Sequence, residues 1–323
     1  MRTDIFWETR RLRPAATLAL PLIFAAQLAM AQQDDVGTDA AAPASADIAE
    51  TTETAATPPA VSERTTRLRT ATLMAATIGG TLAYGRAKWW KDGFGGGFKT
   101  AREGWFGQDT RYGGADKLGH AMFAYTGSRL LTQAFDWAGH DASTALKLGL
   151  WTSVGTLMGV ELIDGFSRKW RFSKEDALAN LTGGALAYVL ERNPELDALI
   201  DLRLQYSPQP GERQFDPFGD YSSQRYLLVL KASGVPALKR HPLLKYLEIN
   251  VGYGTRNFDA GPGALTPQTR HAYVGVSLNL SELLRNTAYQ GNASPSRTQQ
   301  VTETLFEFMQ IPATTVQAER VIR

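Results

Sequence analysis

Leu148-Gly-Leu-Trp-Thr-Ser-Val-Gly-Thr-Leu-Met-Gly-Val160 runs for thirteen residues without a charge and ends on Glu161. So long an uncharged stretch, with no period-two alternation, reads as part of a helix that is apolar on most sides, over about 143–164. Working outward, 116–137 and 174–192 have the same character, and Ala177–Leu190 is uncharged for fourteen residues. At 1.5 Å per residue such runs cover only ~20 Å, short of the ~30 Å hydrocarbon core of a membrane. A fourth helical pattern extends from Thr66 to Trp90 and stops at Lys91-Asp92-Gly93 and Gly95-Gly96-Gly97. Two architectures fit: a compact bundle in the periplasm, or one whose helices are short spans or lie partly in the membrane. Gly155-x-x-x-Gly159, Gly127 and Gly183-Gly184 would allow close helix approach in either.

After Pro194 the character changes. Residues 205–222 are a Pro/Gly/Gln-rich loop, and Tyr226–Lys231, Tyr246–Tyr253 and His271–Leu280 read as strands. In the second, Leu247, Ile249, Val251 and Tyr253 alternate with Glu248, Asn250 and Gly252; in the third, Ala272, Val274, Val276 and Leu278 alternate with polar or small residues. This predicts an antiparallel sheet with one apolar face, packed on the helices or on a partner. Outer-membrane barrels share the pattern, but closing one takes about eight strands. An amphipathic helix at Gln299–Gln310 precedes a frayed tail. The expected class is α+β, mainly a bundle of about four helices with a small C-terminal antiparallel sheet. The expected divisions are a signal peptide (1–31), an acidic linker (32–62), a helical domain (63–204), a strand-containing region (205–290) and a C-terminal helix with tail (291–323).

Composition narrows the function. The 323 residues carry 34 Lys and Arg against 32 Asp and Glu. Residues 1–31 hold four Arg with Asp4 and Glu8, leaving 30 of each sign beyond them, so no charge argues for a nucleic-acid partner. There is no cysteine, hence no disulfide, no thiolate metal site, no cysteine nucleophile and no covalent lipid anchor on a lipobox cysteine. Arg10, Arg11 and Arg13, the apolar run Ala15–Ala29 and the small-residue step Ala29-Met30-Ala31 predict an exported chain cleaved after Ala31, an uncleaved anchor being the alternative. Residues 32–62 are Ala, Thr, Pro and acids with nothing to bury, a solvated spacer. Trp89, Trp90, Phe94, Phe98, Trp105 and Phe106 lie among Lys88, Lys91, Lys99 and Arg102, which fits a membrane-interface belt or aromatics packed under a loop.

The informative residues are polar groups inside the apolar helices. Asp116 and His120 are four apart, Glu161 and Asp164 three apart, and Asp176 and Asn180 four apart, so each pair shares a helix face. Two have cap readings: Asp116 as an N-cap, and Ser173 with Asp176 as a capping box. Glu161 has none. It sits near a helix C-terminus, where the macrodipole disfavours an anion, with Asp164 beside it. At least one of the two carboxyls should be raised in pKa unless a cation compensates. Arg168, Lys169 and Arg171 are the nearest cations in sequence; His120 or a bound metal is the functional alternative.

The run Asp116-Lys117-x-x-His120, then Glu161-x-x-Asp164, then Trp170-x-Phe172-Ser173-x-x-Asp176-x-x-x-Asn180-x-x-Gly183 resembles the YfiM-type predicted periplasmic lipoproteins, a domain of unknown function. It is more distantly similar to VanZ-like membrane proteins, which usually carry Gln where Asp164 stands. The resemblance covers about 70–195 and implies a helical domain of the cell envelope, with no reaction attached. This chain departs from that type in lacking the lipidated cysteine and in adding an acidic linker and a strand-rich C-terminus.

Two functions are open on these residues. One is an envelope enzyme, hydrolase-like and metal-dependent or acid–base, with His120, Glu161, Asp164 and Asp176 as catalytic candidates and Asp116, His120 and Glu161 as ligands of a divalent metal, the cofactor such a set admits. The other is a structural or assembly protein, in which Asp116, Lys117, His120, Glu161, Asp164, Ser173, Asp176 and Asn180 form a buried network and the partner is an envelope protein or a membrane surface. The difference is geometric: an open pocket or a closed interior.

Overall fold

The helices begin where the sequence supplies a cap. Ser62 opens the first, its hydroxyl accepting from the Thr65 N–H; Asp141 opens the third, accepting from Ser143 and Thr144; Ser173 opens the fourth, accepting from Asp176. The computed structural model describes residues 61–208, 219–258, 267–290 and 296–322. The expected signal peptide and nearly all of the expected linker lie outside these residues, as does most of the loop expected at 205–222. In chain order the elements are α1 (Glu63–Lys88), β1 (Thr100–Ala101), α2 (Ala115–Trp137), α3 (Ala142–Asp164), β2 (Phe172–Ser173), α4 (Lys174–Arg192), α5 (Pro194–Leu199), β3 (Ile200–Tyr206), β4 (Gln224–Lys231), α6 (Pro236–Lys239), β5 (Leu247–Arg256), β6 (Thr269–Leu278), α7 (Leu280–Asn286), α8 (Arg297–Phe308) and β7 (Thr315–Ile322). The class is α+β, as expected.

Helix α2 is the centre of the bundle, with α3 and α4 packed on it. The close approach comes from glycine at three places: a Cβ on Gly183 would overlap the Ala121 carbonyl, one on Gly127 would strike the Ser153 hydroxyl, and one on Gly149 would strike the Thr132 backbone. Gly155 and Gly159, expected to serve the same purpose, have no atom within 4 Å of an added Cβ and face outward. One apolar cluster joins Leu73 of α1 to Leu131, Phe135 and Ala145. A second joins Met122, Tyr125 and Leu190 to Leu204, Tyr226 and Phe308, and so fastens the bundle to the sheet and to α8.

The sheet is larger than the sequence reading allows. It has five antiparallel strands in the order β3-β4-β5-β6-β7. Ile200–Tyr206, expected to close the helical domain at 204, is its first strand, and Thr315–Ile322, expected to be a frayed tail, is its last. A flat sheet would hold β4 and β7 about 14 Å apart, three strand spacings. Arg225 of β4 nevertheless donates to Gln317 of β7 at 3.0 Å, and Gln317 donates to Asn250 of β5 at 3.0 Å, the convergence of side chains expected on the inner face of a curled sheet. Past α8, Met309 bridges to Leu204 and Gln310 N–H bonds the Leu204 carbonyl, which covers the β3 edge.

The curl also reverses the expected polarity. Glu248 is 1% exposed and Asn250 is buried, whereas Ile249 is 56% exposed and Val251, Val274 and Val276 are also exposed. The alternation is as read, but the polar side lies inside the curl. Only one end of the apolar side, at Leu204 and Tyr226, meets the bundle. Of the two expectations for the apolar face, packing on the helices or on a partner, the first holds only at that end.

Candidate functional site

Three helices and a loop bring the polar residues together. Gly113 and Gly114, with φ of 63° and 89°, turn the chain into α2, and a Cβ at Gly114 would overlap the Trp105 carbonyl. Gly114 is thus the N-cap and Asp116 lies inside the first turn, so the cap reading of Asp116 does not hold. Lys117 Nζ sits among three carboxylates, 2.5 Å from Glu103, 2.7 Å from Asp176 and 2.8 Å from Asp116. It donates hydrogen bonds to Glu103 and Asp116 and is ion-paired with Asp176.

His120, one turn further along α2, lies 3.2 Å from the Asn180 Oδ1, 3.7 Å from Glu161 and 3.9 Å from Asp176. Its side chain is 24% exposed, while Glu161 is 2% and Asn180 0% exposed. Glu161 Oε2 accepts the Ser173 N–H at 3.3 Å. A capping box satisfies that N–H from within its own helix. Here Ser173 caps Asp176 in the ordinary way, but the return bond comes from α3.

The electrostatics are set by crowding. Burial pushes Glu161 up to about 8, with Asp176 and Asp164 adding to the rise and His120 opposing it. Burial raises Asp164 to about 6, against the hydrogen bond from Trp90 Nε1 at 2.5 Å and the charge of His120. Burial alone would lower His120, but Asp176, Glu161 and Asp116 hold it above its ordinary value. Burial likewise works against charge on Lys117 and Glu103. The Asp176 and Asp116 carboxylates raise Lys117 regardless, and the Lys117 hydrogen bond and charge keep Glu103 low.

The set therefore converges with two adjustments. The metal candidates fall into two groups whose ligand atoms lie within 4.8 Å of one another: His120 and Glu161 meet Asp176, and Asp116 meets Glu103 and the same Asp176, with Lys117 Nζ against all three of the latter. Asp164 is tied to Trp90 at the edge of the group. Arg168, expected to neutralise the Glu161–Asp164 pair, donates to the Phe94 carbonyl instead. Glu103 was not legible, because it stands in a loop whose sequence carries no periodic signal.

Two further buried ionic centres also escaped the sequence reading. Arg129 of α2 contacts Glu191, Asp197 and Glu307 at 3.0, 2.7 and 2.7 Å and ties α2 to α4, α5 and α8. Arg203 of β3 makes five hydrogen bonds, to Asp201, Glu248 and Gln310, and Lys231 holds the other Asp201 oxygen at 2.5 Å. Arg129 stands before Leu130-Leu131 as a lone charge in an apolar helix, the same signal that singled out Glu161.

Residues 102–192 match the family model described as "Predicted periplasmic lipoprotein (DUF2279)", a stretch that holds Glu103 and every member of the Lys117–His120 centre. This likeness supports an envelope protein of uncharacterised, periplasmic type. No curated protein and no solved structure matches the chain.

Proposed function

We propose that this is a non-catalytic structural or assembly protein of the cell envelope, in which the Lys117–His120 centre is a sealed lock that fixes α2, α3 and α4 to one another. The observation that carries this reading is burial: Glu161, Asp176 and Asn180 are enclosed, while solvent reaches the rim of the centre at His120 and Glu103, whose side chains are 24% and 21% exposed. A substrate would need access to those groups. The lock is held by protons as much as by ion pairs, since Glu161 stays protonated near neutrality. The closer kinship with YfiM-type proteins, the distant one with VanZ-like proteins, and export with cleavage after Ala31 belong to the same proposal. They are supported by the ordered D-K-x-x-H, Glu and S-x-x-D-x-x-x-N motifs and by the basic-apolar-small order of residues 10–31.

A second reading is favoured by one feature. Five carboxylates (Glu103, Asp116, Glu161, Asp164 and Asp176) crowd around Lys117 and His120, with Arg111 acting on Glu103 from the rim, and a divalent cation on His120, Glu161 and Asp176 would relieve the excess. Thermal melts of the purified chain separate the two. In the lock, Glu161→Gln copies the protonated acid, leaves stability within about 1 kcal/mol at pH 5.5, raises it at pH 8, and added zinc or manganese changes nothing. Stabilisation of about 2.7 kcal/mol at a metal concentration near 100 Kd, abolished by Glu161→Gln, would replace the lock with a metal centre.

A further inference from the structure

The outer face of the curled sheet carries nine exposed aliphatic side chains, among them Leu230, Ile249, Val251, Val274, Val276 and Val316. At roughly 80 Å² each they amount to about 700 Å², above the ~300–600 Å² of the largest apolar patch on a typical monomer. The register places them side by side: Leu228 opposite Val251, Val251 opposite Val274, Ile249 opposite Val276 and Val276 opposite Val316. We propose that this face is a lipid-contacting surface, seated in the hydrocarbon of an envelope membrane.

Three observations select lipid as the occupant. First, the sheet keeps its ion pairs inside, beside Leu227, Val229 and Tyr273, and shows aliphatic side chains outside, the arrangement a sheet takes when hydrocarbon is its outer solvent. Asp201, Arg203, Glu248 and Lys231 satisfy one another within, and the β3 edge is covered by Met309 and Gln310. Second, the field offers nothing for a protein to recognise. A protein interface carries about one hydrogen bond per 100–200 Å² and favours aromatic and Arg anchors, whereas these neighbouring side chains are all Leu, Ile or Val. Third, both ends of the field are rimmed by aromatic and basic groups, as interfacial belts are. At one end Lys245 lies over the Tyr246 ring at 4.9 Å. At the other, Tyr253 packs edge-on to Phe106 at 5.3 Å, Arg270 donates to the Phe106 carbonyl, and Trp105 and Phe106 are exposed. From Leu247 to Tyr253 the field is about 20 Å long, comparable to the ~25 Å apolar band of membrane strands.

The inference stands whether the Lys117–His120 centre is a lock or a metal site. It is tested with the full chain and vesicles of phosphatidylethanolamine and phosphatidylglycerol, floated in high salt so that charge alone does not hold protein to lipid. Wild type is expected to float, and the double variant Ile249→Glu, Val274→Glu to lose at least roughly tenfold in bound fraction, as a carboxylate in hydrocarbon demands, with an unchanged circular-dichroism melt. Because the chain has no cysteine, Val274→Cys carries a single environment-sensitive dye and decides the matter even if the charged variant misfolds. The dye should shift to the blue on vesicles. Wild type that stays at the bottom of the gradient, or a dye that reports water on vesicles, overturns the proposal. So does a dimer, measured by light scattering, that the double variant breaks while neither protein floats; the face then belongs to a second copy.

Discussion

The centre around Lys117 in the helices and the centre around Arg203 in the sheet are built from the same kinds of group in different proportions. Arg203 uses five N–H bonds on two carboxylates and Gln310, and Lys231 supplies a second cation. Two cations meet two carboxylates there, and one of the cations is a guanidinium, which stays charged. Around Lys117, acids outnumber cations. Burial drives Glu161 and Asp164 upward, and Asn180 Nδ2 has no acceptor among the described residues. What arginine does in the sheet, bound protons do in the helices. A guanidinium fixes geometry permanently, whereas a shared proton makes geometry depend on pH.

Removing Arg203 should be the largest single loss. Arg203→Met leaves Glu248 buried and unpaired and should cost about 3–5 kcal/mol in a denaturant titration. Lys117→Met should cost less, about 3 kcal/mol at pH 8, because Asp176, one of its three acids, is raised by burial and can take up a proton in place of the ion pair. The comparison breaks if the Lys117 variant is the more damaging of the two. The smallest effect, taken one pH unit at a time, is the pH dependence of the wild type. Unfolded Glu161 ionises near 4.5 and the folded group near 8, so over that interval folding takes up a proton and stability falls as pH rises. Asp164 acts in the same sense between 3.8 and about 6, and the raised His120 loses its contribution as pH climbs through its folded value. Melts should therefore show a decline from pH 5.5 to 8 of up to ~1.4 kcal/mol per pH unit for each net proton, shallower in Glu161→Gln. A flat profile would mean that the helical centre is as charge-balanced as the sheet.

The four long helices were readable because their apolar runs are long and three of their starts carry Ser or Asp caps, α2 beginning on Gly114 instead. The polar centre was readable because Glu161 interrupts a run that has no other charge. Two things hid the rest. Ile200–Tyr206 alternates Ile, Leu and Leu with Asp201 and Arg203, a strand pattern obscured by its position directly after helical sequence. The inversion of the sheet was not readable at all, because alternation tells which residues share a face but not which face is inside. That is decided by the curl, and the curl depends on contacts such as Arg225–Gln317 between distant parts of the chain.

The covering of β3 by Gln310 has a consequence for how the molecule forms. Arg203 and Gln310 meet across 107 positions of sequence, whereas each of β4, β5 and β6 finds its neighbour through a much shorter connection. Contacts of such separation carry the largest loop-closure entropy and form late. Until they do, β3 presents open backbone groups beside an aliphatic face, a template on which another unfinished chain can pair. This late step of folding is thus also an interval of aggregation risk, and crowding of nascent chains should limit the yield of refolded protein.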